Sequence, residues 1–199
     1  MPTPNESTVR RLLSINNRGL ILRAAIDGGW TAVAEKYPDR LWWRRKATHA
    51  GLVWEYAVDD AIKALEPDTG AHAVAHVDTV SFIFDDAVFV RMKKADLRLM
   101  TSNYPTSLAS MFHDHDEDLF GYDGLQRVEA AYVLNRFGTG IDWIGIVARE
   151  NKYQLWSFEL EKAGAVVERL PLPEKAEPAV ARVVRPKKSE GDDQEAKGK

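Results

Sequence analysis

The densest collection of groups able to hold a metal ion is the run His113-Asp114-His115-Asp116-Glu117-Asp118, since imidazole and carboxylate are ligands for zinc, manganese or iron. His113, His115 and Asp116 are its candidate ligands, and His49, His72 and His76 could complete the set from elsewhere. A structural metal recruits ligands from distant segments, whereas an acidic run in one loop is more often a solvated surface. A second group is Trp42-Trp43-Arg44-Arg45-Lys46, two indoles beside three cations. Such a cluster could grip phosphates with bases stacked on indole, or serve a protein partner, because Trp and Arg are enriched at interface hot spots. The plainer reading has one Trp in the core and the cations in water. A third group is the basic stripe Arg91, Lys93, Lys94 and Arg98. Arg91 and Lys93 lie two apart and share one face of a strand. With Tyr104 close behind, they could meet an acidic partner, though a solvated sheet face explains them equally.

Catalytic motifs are sparse. Asp85-Asp86 followed by Val88 to Lys94 has the outline of the strand pair that carries the PD-(D/E)xK nuclease site, but that site needs a carboxylate two residues before its lysine. Here Arg91-Met92-Lys93 puts a cation at that position, and a hairpin turn accounts for the two aspartates. No Gly-x-Ser-x-Gly elbow, Walker loop, His-Glu-x-x-His or dinucleotide-binding glycine motif occurs. Gly138-Thr139-Gly140 reads as a turn. With no cysteine, the chain has no disulfide, thiolate-bound zinc, iron–sulfur cluster or thiol nucleophile. No cofactor is expected, and action by binding is favoured over catalysis. A metal-dependent nuclease or hydrolase using Asp85, Asp86 and the run 113–118 is the catalytic alternative.

The chain has 199 residues, 45% of them hydrophobic, which suits one domain with a real core. A net charge of -3 excludes a strong overall positive field, so any nucleic-acid contact must be local. No run approaches the roughly 20 apolar residues of a membrane span, and the polar stretch Met1 to Arg11 is no secretory signal. A cytoplasmic protein without a membrane partner is the expectation.

Around these residues the pattern predicts an α+β domain over 1–173, helical over 6–66 and mostly sheet over 77–160, with a disordered charged tail over 174–199. Val9, Leu12, Leu13, Leu20, Ile21, Ala24 and Ala25 make an amphipathic helix from Glu6 to Asp27, stopped by Gly28-Gly29. Trp30 to Lys36 reads as a separate short turn. The longest helix is predicted from Arg40 to Leu65, with Leu52, Val53, Tyr56, Ala57, Ala61, Ala64 and Leu65 on its buried face. After a polar connection, Val80 to Phe84 and Ala87 to Met92 flank Asp85-Asp86 as a hairpin. Ser102 to Phe112 could hold a short helix. Arg127 to Asn135, Ile141 to Arg149 and Tyr153 to Leu160 then read as antiparallel strands joined by short turns. The sum is helices packed on an antiparallel sheet of about five strands.

The stretches Phe89-Val90-Arg91-Met92-Lys93-Lys94-Ala95-Asp96, Thr101-Ser102-Asn103-Tyr104-Pro105-Thr106, Tyr132-Val133-Leu134-Asn135 through Gly138-Thr139-Gly140-Ile141, and Leu155-Trp156-Ser157-Phe158-Glu159-Leu160 carry a resemblance. Over roughly residues 77 to 160 the chain resembles small bacterial proteins encoded beside genes for helix-turn-helix and ImmA/IrrE-type zinc peptidase proteins in mobile elements. The resemblance implies a protein partner. In such modules the peptidase protein would be the toxin and the small neighbour the antitoxin, acting by direct contact in a toxin–antitoxin or phage-defence system. The partner-binding residues expected on this reading are Trp42, Trp43, Arg44, Arg45, Arg91, Lys93 and Tyr104. The chain itself lacks the peptidase's His-Glu-x-x-His.

Overall fold

The heptad-like apolar spacing of the first third does produce helices, but the breaks fall where backbone chemistry differs from the simple pattern. The computed structural model describes residues 3–76, 79–101, 112–115 and 124–162. Helix α1 (Glu6–Ser14) is capped by Asn5, whose side chain accepts from the Thr8 N–H. The predicted helix Glu6 to Asp27 is interrupted at Asn16 and Asn17, which take left-handed φ values of 49° and 57°, a conformation asparagine tolerates. Helix α2 (Arg18–Lys36) then runs straight through Gly28-Gly29, so the expected stop there is corrected. These glycines serve packing. A Cβ on Gly29 would come within 2.7 Å of the Val53 carbonyl oxygen and 2.8 Å of the Ala57 nitrogen. Helix α3 begins at Lys46 rather than Arg40 and ends as predicted (Lys46–Leu65). Arg40–Trp42 forms a single 3-10 turn before it.

The sheet holds six strands: β1 (Ala71–His76), β2 (Thr79–Phe84), β3 (Val88–Ala95), β4 (Gln126–Leu134), β5 (Ile141–Glu150) and β6 (Tyr153–Glu159), in sequential order. The extra strand is β1, whose His72, Ala73 and Ala75 are exposed; that polarity reads as a connection, yet an edge strand tolerates it. Asp85 and Asp86, with φ 49° and 48°, make the β2–β3 turn as expected. β3 and β4 pair in parallel, whereas every other pair is antiparallel. The α+β fold with a mostly antiparallel sheet is as expected, with one parallel seam added. The connection 96–125 has the length a parallel crossover requires.

Alternation sorts the strands into two faces. Val88, Val90, Met92, Val128, Ala130, Tyr132, Ile144, Ile146 and Ala148 join Val9, Leu22, Ile26, Val53 and Ala57 in the main core. The opposite face carries two smaller apolar groups, one around Ile83, Phe89, Phe112 and Leu125 and one around Ala95, Ala131, Val133 and Val147. Polar side chains lie among them. Beyond β3, the Asp96 side chain accepts from the N–H groups of Arg98 and Met100, which turns the chain so that Thr101 bridges back to Ala95. The sheet centre is thus buried on both sides.

Among the described residues, no helix is long and apolar enough to cross a membrane. Tyr104, Asp116, most of the predicted helix Ser102 to Phe112 and the tail 174–199 lie outside the described residues.

Candidate functional site

The predicted aromatic and basic cluster divides at the α2–α3 connection. Trp43 turns inward, its ring 5.4 Å from Tyr37 and 6.4 Å from His49, while Trp30 meets the other side of His49 at 4.8 Å. The Arg40 guanidinium donates to the Ala34 carbonyl at 3.2 Å and fastens the turn. Trp42 points the other way and is 87% exposed, beside Leu41 at 55%. Arg44 and Arg45 are exposed as well. The 3-10 turn therefore displays an apolar pair followed by two cations, held by an anchored aromatic group beneath.

Arg91 does not belong to that surface. It is 5% exposed on the second face of the sheet, with its guanidinium 4.2 Å from the centre of the Phe112 ring, a cation–π contact. Burial pulls its pKa down to about 10, so it remains charged at neutral pH. The expectation of a solvated or partner-facing Arg91 is corrected: the strand alternation was right, but the second face is covered. Lys93 on the same face is half-buried, and burial followed by Arg91 lowers its pKa.

Arg91 stands in register with Glu129 of β4, and a polar cluster forms around that carboxylate. Thr101 Oγ1 lies 2.9 and 3.0 Å from the two Glu129 oxygens and accepts from Arg149 at 2.8 Å. His113 Nε2 stands 3.6 Å from Glu129, as does an Arg149 nitrogen. His115 Nε2 lies 2.8 Å from the Arg149 carbonyl, and Arg127 donates to the Asp114 carbonyl at 2.9 Å. Burial pushes the Glu129 carboxyl up, against the Thr101 hydrogen bond and Arg149. Burial, then Arg149, pulls His113 down to about 3, so the imidazole is neutral beside Glu129 and the contact is no ion pair at neutral pH. His115 is lowered by burial too. The expectation of a solvated surface is corrected for His113 and His115, which are buried against the sheet.

The aspartates of the nuclease reading lie elsewhere. Asp85 accepts from Arg18 at 2.6 Å, and the same guanidinium binds Asp68 at 2.6 Å in the helix layer. Asp85 is thus committed to an ion triad, on the other side of the sheet from His113. Among the described residues, no group of three or more His, Asp or Glu side chains is placed to hold a metal ion.

A third region had no place in the expectations. Between the first turns of α3 and the ends of β3 and β4 lies a cleft of about 800 Å³. Its floor is apolar, with Ile26, Val53, Trp54, Met92 and Leu134, and Lys46, Lys94 and Tyr132 stand among these walls. The local cause is side-chain size. Ala47, Ala50, Gly51 and Trp54 recur at helical spacing on one face of α3, and a Cβ on Gly51 would meet nothing within 4 Å. The signal was present in the strand alternation: Lys94 shares parity with Val88, Val90 and Met92, so it is a cation on the core side of β3. It was read instead as part of the basic stripe.

No family model matches this chain, and neither does any curated protein or any solved structure.

Proposed function

We propose that this chain is a non-catalytic, antitoxin-like binding protein that neutralises a partner toxin by direct contact. The observation that carries the reading is Trp42, an indole left 87% exposed beside Leu41 and followed by exposed Arg44 and Arg45. An exposed large apolar group on an anchored turn costs solubility with no gain in folding, and it is the residue type that dominates interface energetics. Arg44 and Arg45 add a positive rim that favours an acidic partner surface. The resemblance to small proteins encoded beside ImmA/IrrE-type peptidase genes supports a partner of that kind in the cytoplasm of a bacterium. On this reading Arg91 leaves the partner-binding set, because it is buried.

The test is coexpression with the products of neighbouring genes. A toxic neighbour should copurify with the chain and lose its toxicity. Trp42→Ala should weaken that complex by roughly 30-fold or more, and Arg44→Glu with Arg45→Glu should slow association, both with an unchanged circular dichroism spectrum. A complex that forms equally well with Trp42→Ala, or a neighbour whose toxicity is unaffected by the chain, would end the proposal.

A further inference from the structure

The cleft beside α3 holds cations that the protein does not neutralise. Among the described residues neither Lys46 nor Lys94 makes an ion pair, and the two repel each other: burial and then Lys46 lower the Lys94 pKa. Lys94 also acts on His49, whose pKa falls through burial, Arg40 and Lys94. Among the described residues Asp96 is the one carboxylate along the cleft wall, and its Oδ1 is engaged with the N–H groups of Arg98 and Met100.

Tyr132 provides an independent sign. It stands directly opposite Lys94 in the parallel β3–β4 register, is 4% exposed, and lines the cleft. Its phenol makes no hydrogen bond among the described residues, and desolvation alone raises its pKa. Its oxygen is not among the buried atoms left without a partner, so the hydroxyl reaches the cleft and is open to water or a ligand there. Lys94 and Tyr132 thus lie on the same face of adjacent strands, and Lys46 lines the same cleft, among apolar walls.

We propose that this cleft binds a small amphiphilic anion, with its single anionic head on Lys94, Tyr132 and Lys46 and its apolar body against Ile26, Val53, Trp54, Met92 and Leu134. Charge selects the head, because an anion relieves the repulsion between the lysines and accepts a hydrogen bond from the phenolic O–H. Shape selects the tail. The volume falls in the range of small-molecule sites, which are mostly apolar with a few placed polar groups, and the small residues Ala47, Ala50 and Gly51 leave the room. The proposal is independent of the Trp42 surface, and its test needs no partner protein.

The probe is dodecanoate, kept below its micelle concentration and titrated calorimetrically into the full chain, with dodecan-1-ol and dodecyltrimethylammonium as neutral and cationic counterparts. Dodecanoate should bind at least tenfold more tightly than the alcohol, and the cation weakest. Lys94→Met should remove most of that preference, a loss of roughly tenfold for dodecanoate with little change for the alcohol. Tyr132→Phe should weaken dodecanoate by several-fold. Gly51→Leu should weaken every ligand, since it fills the cleft without touching the charges. Each variant is compared at matched thermal stability, and Gly51→Leu, which meets open space, guards against a charge variant that fails to fold. No binding of dodecanoate, equal binding of acid and alcohol, or a Lys94→Met protein that keeps the preference would overturn the proposal.

Discussion

The ion triad of Arg18 with Asp68 and Asp85 is where single side chains matter most to the fold. Arg18 is 1% exposed and Asp68 8%, so removing the guanidinium leaves a carboxylate stranded in a poorly solvated site. Arg18→Met should cost about 3–5 kcal/mol in urea unfolding, whereas Asp85→Asn, at the more exposed partner, should cost less. The Arg18 hydrogen bond holds the Asp68 carboxyl down to about 2. Its folded pKa lies below its unfolded one, so its contribution is full at neutral pH and is lost as pH falls from the ordinary aspartate range toward 2. His113 acts in the same sense at higher pH. The imidazole titrates near 6.5 when unfolded and near 3 when folded, so the unfolded chain takes up the proton first, and stability declines as pH drops below about 6.5. The opposite sign belongs to Glu129, whose raised pKa weakens the fold as pH climbs through that value. Stability measured against pH should therefore fall from pH 6.5 to 4, and His113→Gln should flatten the slope by up to about 1.4 kcal/mol per pH unit. An unchanged slope would show that His113 is not the group responsible.

Among the elements, the α2–α3 pair gives the sharpest contrast between what sequence and space require. Gly28 and Gly29 look alike in a sequence, and together they resemble a helix stop. In the fold Gly29 is the point where α2 approaches the α3 backbone, whereas a Cβ on Gly28 would meet only the Asp60 carboxylate, at 3.2 Å. Gly29→Ala should destabilise by roughly 1–3 kcal/mol through forced separation of the helices. Gly28→Ala should be neutral or stabilising by up to about 1 kcal/mol, because Asp60 can swing aside and alanine restricts the unfolded chain. Thermal unfolding of the two variants checks both signs. The apolar periodicity did carry the face of α1 and most of that of α3, where only Ala64 of the predicted set is exposed, because periodicity reports which side is buried. It could not place the breaks at Asn16-Asn17, between α1 and α2, and at Trp43–Arg45, between α2 and α3, because periodicity reports faces and not ends. Nor could it identify β1, whose alternation is blurred by exposed alanine and histidine at a sheet edge.

For the molecule as a whole, the two-sided burial of the sheet decided which candidate residues stayed on the surface. Arg91 and His113 were legible as chemistry-bearing residues, and the strand parity of Arg91 was legible too. The cover over the second face was not, since it comes from a crossover whose return direction no local pattern encodes. Trp42 was legible as one of two indoles, but which of the pair turns outward follows from the edge-on contacts of Trp43 with Tyr37 and His49. The crossover has a further consequence, in the order of events during folding. Strands β1 to β3 and β4 to β6 each zip from neighbouring turns, on the microsecond scale of hairpins. The β3–β4 seam has no turn to start from, because it must first close the segment 96–125. Refolding followed by pulsed amide exchange should protect the two half-sheets early and the amides of the seam last. Protection of all strands in one step would mean that the halves never exist apart.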